Sequence, residues 1–439
     1  MTKQTPVLFD RALAIAIEKT QRVSTTFGNE IVLVRDLRGR IRVLLPGSRK
    51  DTLRDRKKEL EKFSQELNKD LGAYGFPPDR AVLFSDDLLL GNDIITSKDR
   101  RLITVEGQLK IYLLDRQISG QDWMRSPFKR ETTTYRVTFF GIKGGVGRST
   151  ALVIWAWRLA KQGKKVLVFD LDLESPGVTS TLLPYEYLPD YGIVDWFVED
   201  SVGQAHIVEK AMVASSPLAK DLSGEIRIVP TYGRETGDYL PKLSRCYADS
   251  NVNDLISWGE RVQHMVTKVE QIEKPDVVFL DSRAGLHDIA AVLVTRMDAD
   301  AFLFAVDSSQ TWIAYKFLFR HWKDHPQVRD FRQHLQIVAG MVPETGREEY
   351  LKRFRENSWD LFRDHLYDEA KSDTPDAFSF DLADQDAPHY PLPVFWHRAL
   401  QEFDPTKSKT GWDEKTALEA LSIFMDEAEK MVFSDGGLK

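Results

Sequence analysis

The segment Gly141-Ile142-Lys143-Gly144-Gly145-Val146-Gly147-Arg148-Ser149 gathers four glycines, two cations and a hydroxyl within nine residues. Glycines let a backbone turn successive N–H groups into one concavity, where they can surround phosphate oxygens. The Ser149 hydroxyl suits a magnesium ion, and Thr150 stands beside it. The spacing departs from the ordinary phosphate loop, because Ile142 occupies the first glycine's position and Gly141 lies one residue earlier. Two acidic segments follow downstream, Asp170-Leu171-Asp172-Leu173-Glu174 and Asp281-Ser282-Arg283-Ala284-Gly285, each closing an apolar run. Carboxylates so placed can hold metal-bound waters or orient a water that attacks a nucleoside triphosphate. The alternatives are a glycine-rich turn without a ligand, and aspartates that cap neighbouring helices.

This chemistry needs strands that end together. Arg136–Phe140 reads as a strand leading into the glycine loop, followed by a helix from about Ser149 to Gln162 that points its positive end at the loop. Gly163 closes that helix as a C-terminal cap. Short, largely apolar runs recur at 166–169, 226–229, 277–280, 301–306 and 335–338. Such runs suit strands buried on both faces of a parallel sheet. The expected fold class is α/β, a doubly wound and mostly parallel sheet, over residues 135–439. Strand ends in such a sheet open onto one crevice. Residues 1–130 read as a smaller α/β domain of a different kind. Ile31–Val34 and Ile41–Leu45 flank Asp36-Leu37-Arg38-Gly39, a hairpin signal. A helix follows over 51–71, with Leu53, Leu60, Phe63, Leu67 and Leu71 on one face. Further strands are expected at 81–84 and 111–114, a linker over Ser126–Thr134, and an acidic helix in the last stretch.

Composition bounds the function. The chain has 439 residues, 42% hydrophobic and 29% charged, which suits a soluble globular protein of two or three domains. It has no run of eighteen apolar residues and no signal-type N-terminus, so a cytoplasmic protein without membrane attachment is expected. The single cysteine, Cys246, excludes an internal disulfide framework and a cysteine-cluster zinc or iron–sulfur site within one chain. The nine histidines show no metal-ligand spacing. Residues 1–134 carry 25 Lys+Arg against 19 Asp+Glu, and the remainder 35 against 48, so a basic front precedes an acidic body.

Lys143-Gly144-Gly145-Val146-Gly147 resembles the deviant Walker A motif of the ParA/MinD family of P-loop ATPases, of the form K-G-G-x-G-K-[ST]. Asp170-x-Asp172 resembles that family's D-x-D, and Asp281-Ser282-Arg283-Ala284-Gly285-Leu286 its D-[ST]-P-A-G-L. Asp288 and the run Ala301–Val306 continue the likeness. Pro393-Val394-Phe395-Trp396-His397 and then Phe403-Asp404-Pro405 resemble the family's late strand and loop. The likeness covers roughly residues 135–430 and leaves the first 130 unassigned. It implies a homodimer with ATP and Mg2+ sandwiched at its interface. It implies that Lys143 reaches the partner subunit's phosphates, that Asp172 orients the attacking water, and that Ser149, Asp170 and Asp281 lie at the metal. The phosphates would fall to Gly141, Gly144, Gly145, Val146, Gly147, Arg148, Ser149 and Thr150. Arg148 replaces the usual lysine, keeping the charge in a larger planar group. Arg283 replaces the usual proline, and could neutralise phosphate or pair with a nearby acid. The family's base-recognising asparagine is missing near Val338-Ala339-Gly340-Met341, so ATP over GTP rests on the resemblance.

Three functions remain open: an ATP-hydrolysing switch signalling to a partner protein through the N-terminal domain, a nonhydrolysing nucleotide-dependent module, and a phosphoryl-transfer or ligase enzyme. The helix around 49–69 mixes eight basic with six acidic residues, which reads as a solvated face of ion pairs. Nucleic-acid binding is therefore not favoured. The acidic tail lacks the basic face of a membrane-surface helix. Trp155 and Trp157 read as core.

Overall fold

A computed structural model describes residues 6–89, 91–129, 133–249, 256–369, 377–400, 403, 405 and 413–433. The chain divides into two compact units, Met1–Met124 and Arg125–Lys439.

In the first unit, strands β1 (Glu30–Arg35), β2 (Ile41–Leu45), β3 (Val82–Phe84), β4 (Arg101–Glu106) and β5 (Leu109–Asp115) form one sheet in the order β3-β2-β1-β5-β4. β1 and β2 are the expected hairpin. Its turn is fixed by the Asp36 carboxylate, which accepts from the backbone N–H groups of Arg38 and Arg40, both at 2.9 Å. Gly39 supplies the left-handed φ of 81° that a side chain would resist. β1 also pairs parallel with β5, and β2 with β3. Helices Phe9–Phe27 and Arg49–Leu71 bring Ala12, Ala16, Leu60, Phe63, Leu67 and Leu71 into one core with Ile31, Leu33, Ile41 and Val43. Leu53 departs from the expected face and is 38% exposed. Arg56, at φ −140° and ψ 36°, interrupts the helix between Leu53 and Leu60 and breaks its periodicity. The charged face forms the expected surface pairs, among them Arg54–Asp55 and Lys57–Glu61.

In the second unit, β6 (Tyr135–Gly141), β7 (Lys165–Asp170), β8 (Ala214–Ser215), β9 (Glu225–Val229), β10 (Val277–Asp281), β11 (Asp300–Ala305), β12 (Leu335–Val342) and β13 (Leu392–Phe395) form an eight-stranded sheet. Its order is β13-β12-β11-β6-β10-β7-β9-β8. Every neighbouring pair is parallel except β8 with β9. This is the expected mostly parallel α/β sheet. β10 and β11 are buried at every residue, as their unbroken apolar runs require. Helix Arg148–Lys161 packs on the sheet, and helix Glu414–Phe433 packs beside it, with Phe424 against Phe302 and Phe304 of β11. The latter helix buries Leu421, Phe424, Met425 and Ala428 in the same core. Trp155 is fully buried there, its ring centroid 4.6 Å from Phe279 and 5.8 Å from Phe424. At the edges, β13 carries Pro393 with Pro391 just before it, and β8 has only two residues.

The start of the stretch expected as a linker is held in the second unit. Phe128 N–H donates to the Arg296 carbonyl at 2.8 Å, and the Arg296 guanidinium lies 3.9 Å from the Phe128 ring centroid. Residues 130–132 of that stretch, Asp404 of the late loop and Trp412 of the tail lie outside the described residues.

Candidate functional site

β6 ends at Gly141, β7 at Asp170 and β10 at Asp281. Because β10 lies between β6 and β7 with all three parallel, Asp281 is in register with Asp170 on one side and Phe139 on the other. Strand order alone therefore brings the glycine loop and both acidic segments to one end of the sheet.

The loop follows β6 and runs straight into helix Arg148–Lys161. Gly145 and Gly147 hold φ of 73° and 84°, the left-handed region where glycine carries no steric cost. A β-carbon on Gly340 would meet the Val146 carbonyl oxygen at 2.2 Å, so the loop rests directly on the end of β12. The Gly285 N–H donates to the Gly141 carbonyl at 3.0 Å, tying the segment after β10 to the start of the loop.

Arg148 is buried and faces the carboxylates. Its Nε donates to Asp281 Oδ1 at 2.9 Å and its Nη2 to Asp172 Oδ2 at 3.3 Å. The Ser149 hydroxyl donates to Asp281 Oδ2 at 3.3 Å. Asp170 accepts at Oδ2 from the Thr179 N–H, 2.7 Å, and at Oδ1 from the Asp172 N–H, 3.3 Å. The first of these bonds caps the short helix Val178–Leu182, so the capping alternative describes part of what Asp170 does. Of the six carboxylate oxygens of Asp170, Asp172 and Asp281, Asp172 Oδ1 is the one that lacks a donor among the described residues.

Three buried carboxylates thus gather near one guanidinium, which bonds to two of them. Burial pushes Asp170 up to about 7, with the Asp281 charge adding to it. Burial likewise pushes Asp172 up to about 6, against the opposing pull of Arg148. Burial raises Asp281 as well, although Arg148 and Ser149 both favour its charged form. Charged-form hydrogen bonds and a nearby cation offset desolvation but do not overcome it here.

Lys143 stands apart from this cluster. Its Nζ donates to Gln310 Oε1, at the start of helix Ser309–Lys323. Arg283 takes the acid-pairing alternative, with Nη1 2.7 Å from Glu174 Oε1. The same oxygen accepts from the Tyr247 hydroxyl at 2.6 Å. Glu174 and Tyr247 were not singled out from sequence. The D-x-D-x-E spacing, with alternate residues on one side, is the signal that could have found the first.

Beside the loop lies a cavity of about 210 Å3, lined by Gly145, Gly147, Thr150, Met341 and the run Val394–His397, with Leu400 and Leu421. Met341, a non-glycine residue at φ 55°, lies beside it, next to the last residue of β12. The aromatic and imidazole rings of 395–397 give this cavity flat apolar walls of the type that hold a planar base. No sequence motif marks Met341. The run after Pro393 is the only advance signal of the wall.

The donor set fits magnesium in kind. Ser149 Oγ and the carboxylates of Asp281 and Asp170 are hard oxygen ligands, and Ser149 already meets Asp281.

A family model described as the CobQ/CobB/MinD/ParA nucleotide binding domain matches residues 137–308. No curated protein matches the chain. Among solved structures it is similar to cobyrinic acid a,c-diamide synthase from Mycobacterium smegmatis with bound ADP and magnesium. That pair is 14% identical over 68% of this chain and 95% of the other, with a TM-score of 0.41. It is also similar to a plasmid partition protein from Borrelia burgdorferi B31 bound to AMPPNP, at 14% identity over 67% and 100% of the two chains and a TM-score of 0.40. A ParA family ATPase from Chlorobium tepidum TLS is 13% identical over 68% and 95%, with a TM-score of 0.39. At such low identities and TM-scores these are noted as likenesses and nothing more. The glycine loop and both acidic segments lie within the span that matches this family model, residues 137–308.

Proposed function

We propose that the chain is a magnesium-dependent ATP switch of ParA/MinD type, which binds and hydrolyses ATP, dimerises on it and signals to a partner protein. The observation that carries this reading is the convergence of Arg148, Ser149, Asp170, Asp172 and Asp281 at the mouth of one glycine loop.

In this reading the N–H groups of 144–149 and the helix that starts at Arg148 hold the phosphates. Ser149, Asp281 and Asp170 hold Mg2+, which when bound neutralises phosphate charge and fixes the oxygens for displacement. Asp172 Oδ1, unpaired and facing the cluster, accepts a hydrogen bond from the attacking water. Lys143, outside the carboxylate cluster, is available to the phosphates of a second copy. The base sits against Phe395, Trp396 and Met341. The first unit serves as the docking or effector module. Among the described residues no helix is long and apolar enough to cross a membrane, and we place the protein in the cytoplasm.

A nonhydrolysing module is the second reading, favoured by Arg148 lying on Asp172 and Asp281. ATP turnover and oligomeric mass are to be measured together, with and without DNA, for wild type, Lys143→Ala and Asp172→Ala. The switch reading expects Asp172→Ala to keep ATP binding and lose about a hundredfold in turnover, the loss of one positioned proton acceptor. It expects Lys143→Ala to stay monomeric with ATP. Wild type that binds ATP yet never exceeds background turnover selects the second reading. Dimerisation that ignores nucleotide rules out both.

A further inference from the structure

Each oxygen of the two candidate carboxylate ligands already has a hydrogen-bond donor. Arg148 and Ser149 take the two oxygens of Asp281, and two backbone N–H groups take those of Asp170. The guanidinium also reaches across to Asp172. It spans two carboxylates, one at the end of β10 and one just after β7, with a planar fork whose donors are fixed relative to one another, unlike the flexible point charge of an ammonium. A divalent ion coordinated by Asp281 Oδ1 would have to take the place now held by Arg148 Nε. It would also bring two positive charges against a buried third. Resting on the nucleotide reading, we propose that Arg148 acts as a built-in counter-ion that keeps free divalent metal out of this site, so that metal enters only together with a nucleoside polyphosphate whose oxygens draw the guanidinium off Asp281 and Asp172.

The arrangement carries its own reason. Three carboxylates buried within one crevice need a cation, and Arg148 is the cation that the described residues supply to Asp172 and Asp281. A polyphosphate offers the guanidinium a second set of bidentate acceptors. Asp281 is then freed for the metal that the same polyphosphate carries. A lysine at this position, a flexible point charge, would hold the two carboxylates less rigidly and exclude metal less completely. The Arg148 substitution is thereby a change in the order of loading rather than a simple loss of function.

Mn2+ binding to the full chain, stripped of nucleotide, tests this by loss of the free-ion electron paramagnetic resonance signal. The variants are Arg148→Gln, Arg148→Lys and Arg148→Gln with Asp281→Asn, each checked for folding by circular dichroism. Wild type is expected to bind free Mn2+ at least roughly tenfold more weakly than Arg148→Gln, on the scale of changes around metal ligands. Arg148→Lys should fall between them, and Asp281→Asn should abolish the gain. Equal Mn2+ affinity in wild type and Arg148→Gln overturns the proposal, as does a gain that survives Asp281→Asn. Where Arg148→Gln does not fold, Arg148→Lys decides by the same comparison: tighter Mn2+ than wild type supports the proposal and equal Mn2+ overturns it. ATP binding measured on the same samples separates the two ideas. Wild type that binds no ATP removes the nucleotide reading, whereas the Mn2+ comparison speaks only to Arg148.

Discussion

In the first unit a buried cation has a carboxylate of its own: Arg35, at the end of β1, pairs bidentately with Asp115, at the end of the neighbouring β5. In the second unit Asp170, Asp172 and Asp281 gather at the ends of two neighbouring strands, and Arg148 alone pairs with the last two among the described residues. Elsewhere in that unit matching returns, as in the Arg136–Glu270 pair beneath the sheet. The imbalance is therefore local to the glycine loop. Buried charge without a full set of partners costs folding energy, and such clusters gather where chemistry uses them. The contrast separates charges that hold the fold from charges kept for another purpose.

The strongest way to break this comparison is at the matched pair. Arg136 and Glu270 side chains are 2% and 0% exposed, 2.6 Å apart. Arg136→Ala should cost about 3–5 kcal/mol, because it takes the guanidinium away from a buried carboxylate. Denaturant midpoints check this, and a change below about 1 kcal/mol would mean that the pair does not hold the fold. In the first unit the same scale of loss should come from apolar packing. Leu67→Ala, at a buried position, should cost about 2–4 kcal/mol. Leu53→Ala should stay within about 0.5 kcal/mol. Similar losses at both leucines would contradict the helix interruption at Arg56.

The smallest effect concerns acid. Asp170 has its folded value raised from 3.8 to about 7, so it favours the folded state when protonated. Its contribution is fully present below pH 3.8 and is lost as pH rises through about 7. Asp87 in the first unit behaves oppositely. The hydrogen bond from Arg49 holds it below the usual carboxylate range, so its contribution is present at neutral pH and lost on acidification. Hydrogen exchange read separately for the two units should show the second losing roughly 1–3 kcal/mol of protection between pH 4 and 7 from this source. Asp170→Asn should flatten that slope. A slope unchanged in the variant would assign it to other groups.

Much of the second unit was legible in the sequence, and for a physical reason. Strands buried on both faces must be apolar throughout, and a loop that turns its N–H groups inward needs glycine. β6, β7, β10, β11 and β12 therefore announce themselves. The first unit hides more. Helix Phe9–Phe27 buries Ala12, Ala16 and Thr20 at four-residue spacing, a stripe of small side chains with little contrast to its surroundings. β4 is an edge strand with no fully buried residue, so its pattern is weak. At the site, sequence located the loop and the aspartates. It could not decide what Arg148 and Arg283 face, because that depends on strand order. The cavity wall at Met341 and Trp396 joins residues more than fifty positions apart, beyond the reach of any local pattern.

The two borders of the large sheet have a consequence for handling the protein. Prolines lack the N–H that a ladder requires, and Pro391 and Pro393 stand at one border, while the other is a strand of only two residues. Neither border offers a long ribbon of free donors and acceptors on which another chain could template itself. Association of this unit is then left to side-chain surfaces. Dilution or removal of a ligand can reverse such contacts, and concentrated stocks should lean toward discrete oligomers over fibres.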